Sequence, residues 1–161
     1  MKKATVALGM SGGVDSSVAV HLLQKAGYDV IGITMWLIPE EFGGSEASIH
    51  DARMVAAQLG IVHHVVDFRR QFAQWIIGDF ISEYDQGRTP NPCILCNQRI
   101  KFGLLQQSAR QFGADKMATG HYAQIKSGTN GENILCKGKD VQKDQSYFLC
   151  RIPRRVLNDT I

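Results

Sequence analysis

The chain has 161 residues, 44% of them hydrophobic and 20% charged, with a net charge of +3, which is the composition of one soluble globular domain with a single core. No apolar run approaches the roughly 20 residues needed to span a bilayer, and Met1-Lys2-Lys3-Ala4 leads into a strand rather than a signal peptide, so no membrane partner is expected and the cytoplasm is the default location. In a reducing compartment the four cysteines point to chemistry, metal or plain burial before structural disulfides.

Ala4-Thr5-Val6-Ala7-Leu8 is short, apolar and partly β-branched, as suits a buried strand. Val18, Leu22 and Leu23 form a helical stripe ending near Gly27, a C-cap. Between strand and helix runs Gly9-Met10-Ser11-Gly12-Gly13-Val14-Asp15-Ser16-Ser17. Gly12 and Gly13 let the backbone turn tightly and bring N–H groups close to a ligand. Ser11, Ser16 and Ser17 add hydroxyls, and the helix N-terminus adds partial positive charge. Such a loop is a seat for phosphate. No Lys follows the glycines, so it is not the Walker loop, and it lacks the G-x-G-x-x-G spacing of dinucleotide folds.

Tyr28 to Met35 reads as a second buried strand, and Trp36 to Gly44 as a loop broken by Pro39 and the Gly43-Gly44 pair. Ser45 or Ser48 would cap a helix through Leu59 with Ile49, Ala52, Val55, Ala56 and Leu59 on one face. Val62 to Asp67 is a third strand, and Phe68 to about Tyr84 a third helix presenting Phe72, Trp75, Ile76 and Phe80. His63 and His64 invite a metal reading, but neighbouring strand residues point to opposite faces and cannot pair on one side. Alternating strands and helices imply right-handed βαβ units and a parallel sheet with helices on both faces. Ligands of such sheets sit at the carboxyl ends of the strands, which gathers the Gly9–Ser17 loop, Met35 and the segment after Ala118 around one crevice.

Gly87-Arg88-Thr89-Pro90-Asn91-Pro92-Cys93-Ile94-Leu95-Cys96-Asn97 follows, stiffened by two prolines. A helix from about Cys93 to Phe112 carries Ile100, Leu104, Leu105 and Ala109, so both thiols stand near a helix N-terminus. There the dipole, aided by Arg88, Arg99 and Lys101, is expected to lower thiol pKa. A fourth strand at Asp115–Ala118 leads to Thr119-Gly120-His121-Tyr122, where Gly120 permits close ligand approach. Tyr122–Lys126 and Asn133–Lys137 read as a hairpin around Gly128–Gly131, followed by the polar cluster Lys143-Asp144-Gln145-Ser146 and Tyr147-Phe148-Leu149. Charge is uneven along these elements: Asp29 to Asp85 carries nine acids against three bases, Arg88 to Lys116 five bases against one acid, and Lys137 to Arg155 six against two. The two basic stretches favour a polyanionic partner, nucleic acid in particular.

Ser11-Gly12-Gly13-Val14-Asp15-Ser16 resembles the PP-loop of ATP pyrophosphatases, which implies an adenine-nucleotide alpha hydrolase-like α/β domain spanning 1–161 with a C-terminal hairpin. Taken with Gly87–Pro92, Ala118–Tyr122 and Lys143–Leu149, the chain looks like the tRNA-specific 2-thiouridylases, which place sulfur on C2 of the wobble uridine. The resemblance implies ATP contacts at Gly9, Met10, Ser11, Gly12, Gly13, Val14, Asp15, Ser16, Met35 and Gly120, with Asp15 placing Mg²⁺ through ATP. It implies Cys96 as the catalytic cysteine with Cys93 beside it, the target base near Asn91, Pro92 and Cys93, and tRNA contacts at His121, Lys143, Asp144 and Gln145. The implied chemistry is adenylation of uridine O2, attack at C2 by sulfur, and loss of AMP, with a separate persulfide-carrying protein as donor. Some members have Asp in place of Cys93.

Family members run to roughly double this length, with central and β-rich C-terminal domains, and their second catalytic cysteine lies beyond the Lys143–Ser146 block. Neither Cys136 nor Cys150 stands in that motif, so the chain is expected to be the catalytic-domain portion. Three other readings stay open: a nucleotide- or tRNA-binding module without turnover alone, a different ATP pyrophosphatase such as an amidating ligase, and an iron–sulfur or zinc half-site at Cys93 and Cys96.

Overall fold

The computed structural model describes residues 3–39 and 46–161; Ser45 and the Gly43-Gly44 pair lie outside them. Four strands, β1 (Thr5–Gly9), β2 (Asp29–Trp36), β3 (Val62–Asp67) and β4 (Lys116–Thr119), form a parallel sheet in the order β3-β2-β1-β4. Strand β1 is central, with Ala7 opposite Ile31 on one side and Met117 on the other. Strand pleating sends alternate residues to opposite faces. Val6 and Leu8 therefore pack with Val20 and Leu23 of α1 (Val14–Lys25) and with Ala52 and Ala56 of α2 (Ala47–Gln58). Ala7 packs on the other face with Ile76 of α3 (residues 69–85) and with Ile100 and Leu105 of α4 (residues 92–111). Helices thus cover both faces, as the near-continuous apolar strands require.

Two details of helix facing depart from the periodicity. In α1, Val18 and Leu22 are exposed, while Ser16, Val20 and Leu23 turn inward. The Ser16 hydroxyl donates to the Gly13 carbonyl at 3.0 Å, so the turn sets the helical phase and buries the residues one and two turns further on. In α3 a π-helical turn at Ala73–Ile77 adds a residue to the turn, and Phe80 leaves the buried face to pack edge-on against Tyr84 at 4.9 Å. Ser48 lies inside α2, whose N-cap position is Glu46.

The two histidines of β3 go to different places. His63 Nε2 lies 2.8 Å from the Thr34 hydroxyl, and His64 stacks on Phe112 at 4.0 Å. Beyond β4 the chain forms the antiparallel hairpin β5 (Ala123–Ser127) and β6 (Asn133–Lys137), a 3₁₀ turn at Ser146–Leu149, and the short α5 (Arg154–Leu157). Asp159 and Ile161 then pair with Met117 through backbone hydrogen bonds of 2.8 and 2.9 Å, which covers the outer side of β4. No described helix is long and apolar enough to cross a membrane.

Candidate active site

Because β1 feeds β2 on one side and pairs with β4 on the other, the strand order reverses between β1 and β4, where α/β sheets open a crevice. A cavity of about 220 Å³ lies there. Its walls are Gly9, Met10 and Ser11 leaving β1, Asp15 and Ser16 on α1, and Met35 on β2; Thr119, Gly120 and His121 leaving β4 face Lys101 and Leu105 of α4, with Gln145 alongside. Gly12, Gly13 and Val14 shape the turn without lining the cavity. Gly12 has φ +77°, and a Cβ there would stand 2.9 Å from the Ser48 carbonyl, so glycine is required. The Ser17 hydroxyl is spent on the Gly13 carbonyl at 2.9 Å and does not reach the crevice. No side chain caps α1, so its first-turn N–H groups remain available to an anion.

Asp15 sits at the crevice mouth, where its Oδ1 accepts a 2.8 Å hydrogen bond from the Tyr122 hydroxyl. That bond and the carboxylate charge push the Tyr122 phenol upward, so it remains a donor. Tyr122 is clamped in turn: its backbone N–H donates to Gln145 Oε1 at 3.0 Å, and its carbonyl accepts from the Gln145 N–H at 2.9 Å.

A second cavity, also of about 220 Å³, holds the thiols. Cys93, Cys96, Asn97 and Phe148 line it together with Lys101, His121 and Gln145, the three residues that also wall the first cavity. Asn91 caps α4 by accepting from the Ile94 N–H at 3.3 Å, and Pro92 occupies the first helical position, where a missing N–H costs nothing. Buried Asn97 donates to the Phe148 carbonyl at 3.0 Å and ties α4 to the 3₁₀ turn.

The expected lowering of thiol pKa is reversed at Cys96. Burial pushes its thiol up, and the nearby Lys101 opposes this only in part. Arg88 is committed to Glu83 at 2.6 Å, and Arg99 is exposed. His121 is pushed down to about 4 by burial, with the Lys101 charge acting in the same direction, so its imidazole is neutral near pH 7. Its Nδ1 lies 2.7 Å from the Thr119 hydroxyl and its Nε2 is 3.4 Å from Lys101 Nζ.

Of the residues expected near tRNA, Cys93, His121 and Gln145 line the thiol cavity, whereas Asn91 and Pro92 do not line it and stand immediately before Cys93 at the start of α4. Lys143 and Asp144 do not line the cavity either. The Lys143 ammonium lies 5.5 Å from the Tyr122 ring centroid, and Asp144 organises its own turn by accepting from the Gly138 and Ser146 N–H groups at 2.8 and 3.1 Å. The sequence presents Lys101 only as one of three charges near the thiols and Tyr122 only as the end of the Ala118–Tyr122 block and the start of a strand, whereas in the structure Lys101 lines both cavities and Tyr122 bonds to Asp15. For Lys101 the missing signal is a π-helical stretch at Asn97–Leu105. With i→i+5 bonding, residues five apart stack one turn above another, which brings Lys101 to the side of Cys96.

Asp15 offers a hard oxygen ligand beside the phosphate seat and fits Mg²⁺ carried in with a nucleotide. The thiols do not complete a metal site: among the described residues no three His, Cys, Asp or Glu side chains converge to hold an ion. Within the described residues Cys93 and Cys96 supply two thiols to one cavity, half of the four donors an iron–sulfur or zinc site takes.

Residues 4–161 match the family described as tRNA methyl transferase HUP domain. The tRNA-specific 2-thiouridylase MnmA of Pelobacter propionicus is 51% identical over 144 residues, covering 89% of this chain and 41% of that protein. The protein of the same name from Trichlorobacter lovleyi is 50% identical over 156 residues, covering 97% of this chain and 44% of its own length. The chain therefore spans less than half the length of these curated relatives. Among solved structures, glutamine-dependent NAD⁺ synthetase from Acinetobacter baumannii, in complex with ADP, superposes with a TM-score of 0.51 at 21% identity over 72% of this chain and 21% of that one, a likeness of fold. By its match over nearly its whole length and its half-identity to proteins of that name, the chain belongs to the tRNA methyl transferase HUP domain family and groups with the tRNA-specific 2-thiouridylases.

Proposed function

We propose that this chain carries the ATP-dependent activation centre of a tRNA uridine 2-thiolation. ATP lies with its phosphates on the Gly9–Ser16 loop, and the wobble uridine enters the thiol cavity beside Asn91, Pro92 and Cys93. Uridine O2 attacks the α-phosphorus and pyrophosphate leaves, which converts a poor oxygen leaving group into AMP. Sulfur then adds at C2 and AMP departs: hydrosulfide gives the thiocarbonyl directly, whereas the outer sulfur of a persulfide carrier adds with its S–S bond intact, and a second thiol then forms a disulfide with the carrier sulfur as the thiocarbonyl is released. Cys96 is the thiol placed to handle that sulfur, with Cys93 beside it, and Asp15 holds Mg²⁺ at the phosphates.

The observation that supports this most is the common wall. Lys101, His121 and Gln145 border both the phosphate crevice and the thiol cavity, so a nucleotide in one and a base in the other meet across a single boundary. A binding module without turnover is the second reading, favoured by the burial that pushes the Cys96 thiol up, away from the reactive thiolate. The two are separated by incubating the chain with ATP, Mg²⁺, unmodified tRNA and sulfide and scoring AMP and 2-thiouridine separately. AMP formation dependent on tRNA is expected, with thiouridine lost in Cys96→Ser. Bound ATP with no AMP would reduce the chain to a binding module, and thiolation surviving in Cys96→Ser would remove that residue from the chemistry.

A further inference from the structure

We propose that Lys101 is a catalytic residue of this centre: its ammonium contacts the α-phosphoryl group of the nucleotide and the acceptor oxygen that attacks it. The inference rests on the thiolation reading above.

Three observations carry it. Lys101 borders both cavities at their junction, where the reacting phosphorus and oxygen must meet. Among the described residues lining the phosphate crevice, it is the one side chain that is cationic at neutral pH, since His121 is neutral there. Its charge is also uncommitted, as it takes part in none of the ion pairs of the described residues. Its polar contact is with His121 Nε2. An ammonium can only donate, so Nε2 accepts and the imidazole proton sits on Nδ1, facing the Thr119 hydroxyl. Thr119 and His121 therefore aim Lys101 without cancelling its charge.

A fixed cation at that position serves both halves of the reaction. In the first, the O2–Pα bond forms as the Pα–O bond to pyrophosphate breaks, the electron pair leaves with pyrophosphate, and the uridine N3 proton is lost to solvent. In the second, hydrosulfide adds to C2, the C2–O2 electron pair leaves with AMP, and the hydrosulfide proton ends on N3. Negative charge rests on the α-phosphoryl oxygens throughout, and a preorganised donor in a partly dry site lowers both barriers.

The test compares adenosine, AMP and ATP binding to the chain by titration calorimetry in wild type, Lys101→Met and Lys101→Arg. Lys101→Met is expected to weaken AMP about tenfold while adenosine stays within about twofold, and Lys101→Arg to recover most of the loss. tRNA-dependent AMP formation should fall by roughly 10²- to 10³-fold in Lys101→Met. An unchanged AMP-to-adenosine preference would overturn the role, as would adenosine and AMP weakening together in both Lys101→Met and Lys101→Arg, which is the mark of a packing residue. If wild type binds none of the three ligands, the nucleotide reading itself falls and takes this inference with it. Wild-type binding with insensitivity to Lys101 defeats this inference alone.

Discussion

His121 shows how one side chain can be fitted to a site at a cost in acid. Burial and the Lys101 charge pull its pKa from 6.5 down to about 4, so the folded protein holds it neutral while the unfolded chain protonates it near 6.5. Between those values the unfolded state binds more protons, and stability must rise with pH. Stability is fully present above about 6.5 and is lost as pH falls toward about 4. His63 is lowered for the same leading reason and adds to the slope in the same direction. The His121 share is on the order of 2 kcal/mol, given its partial exposure. Denaturation midpoints measured from pH 4 to pH 7 in wild type and His121→Gln should differ in slope, with the variant flatter. Parallel curves would show that His121 titrates normally and that its ring is not held as described.

At the scale of elements, α4 positions the chemistry, and its first turn hangs on a small device. Asn91 satisfies the Ile94 N–H, and Pro92 starts the helix without one to satisfy. Asn91→Ala should cost about 1 kcal/mol and fray the turn that carries Cys93. Peptide-mapped alkylation should then quicken at Cys96, whose protection is burial. A rate unchanged from wild type would mean that packing alone fixes the turn. The strand–loop–helix at the N-terminus was legible because turn chemistry is local: glycines, hydroxyls and an acid between an apolar strand and a helical stripe have few other uses. The parallel sheet followed from alternating periods. Less legible was anything set by phase. The inward turn of Ser16 rotated α1 away from Val18 and Leu22, and the π-helical stretch of α4 put Lys101 on the side of Cys96, where α-helical counting separates them. The direction of the Cys96 shift was misjudged for a related reason: the helix dipole is visible in sequence, whereas the desolvation that outweighs it depends on what packs around the thiol.

On the scale of the whole molecule, the strand order β3-β2-β1-β4 makes the nucleotide crevice a junction between distant parts of the chain. Asp15 near one end is bonded to Tyr122, 107 residues away, and Tyr122 is clamped by Gln145 ahead of the 3₁₀ turn that Asn97 anchors to α4. On the proposed function, a nucleotide that brought Mg²⁺ to Asp15 would compete for the oxygen that Tyr122 now holds, which would link occupancy of the crevice to the placement of residues 122–149. Ligand that binds only the folded chain must also stabilise it, by about 2.7 kcal/mol at a concentration one hundred times its Kd. For a chain of this size that is a rise in Tm of roughly 5–10 °C. The rise with ATP should shrink when Mg²⁺ is chelated. Asp15→Asn should reproduce the chelated value with or without metal, because the amide keeps the shape of the carboxylate and can still accept from Tyr122 while losing the charge that holds the ion. If Asp15→Asn instead keeps the full metal-dependent rise, Mg²⁺ is held by the phosphates alone, and Asp15 serves only to pin Tyr122 and the segment behind it.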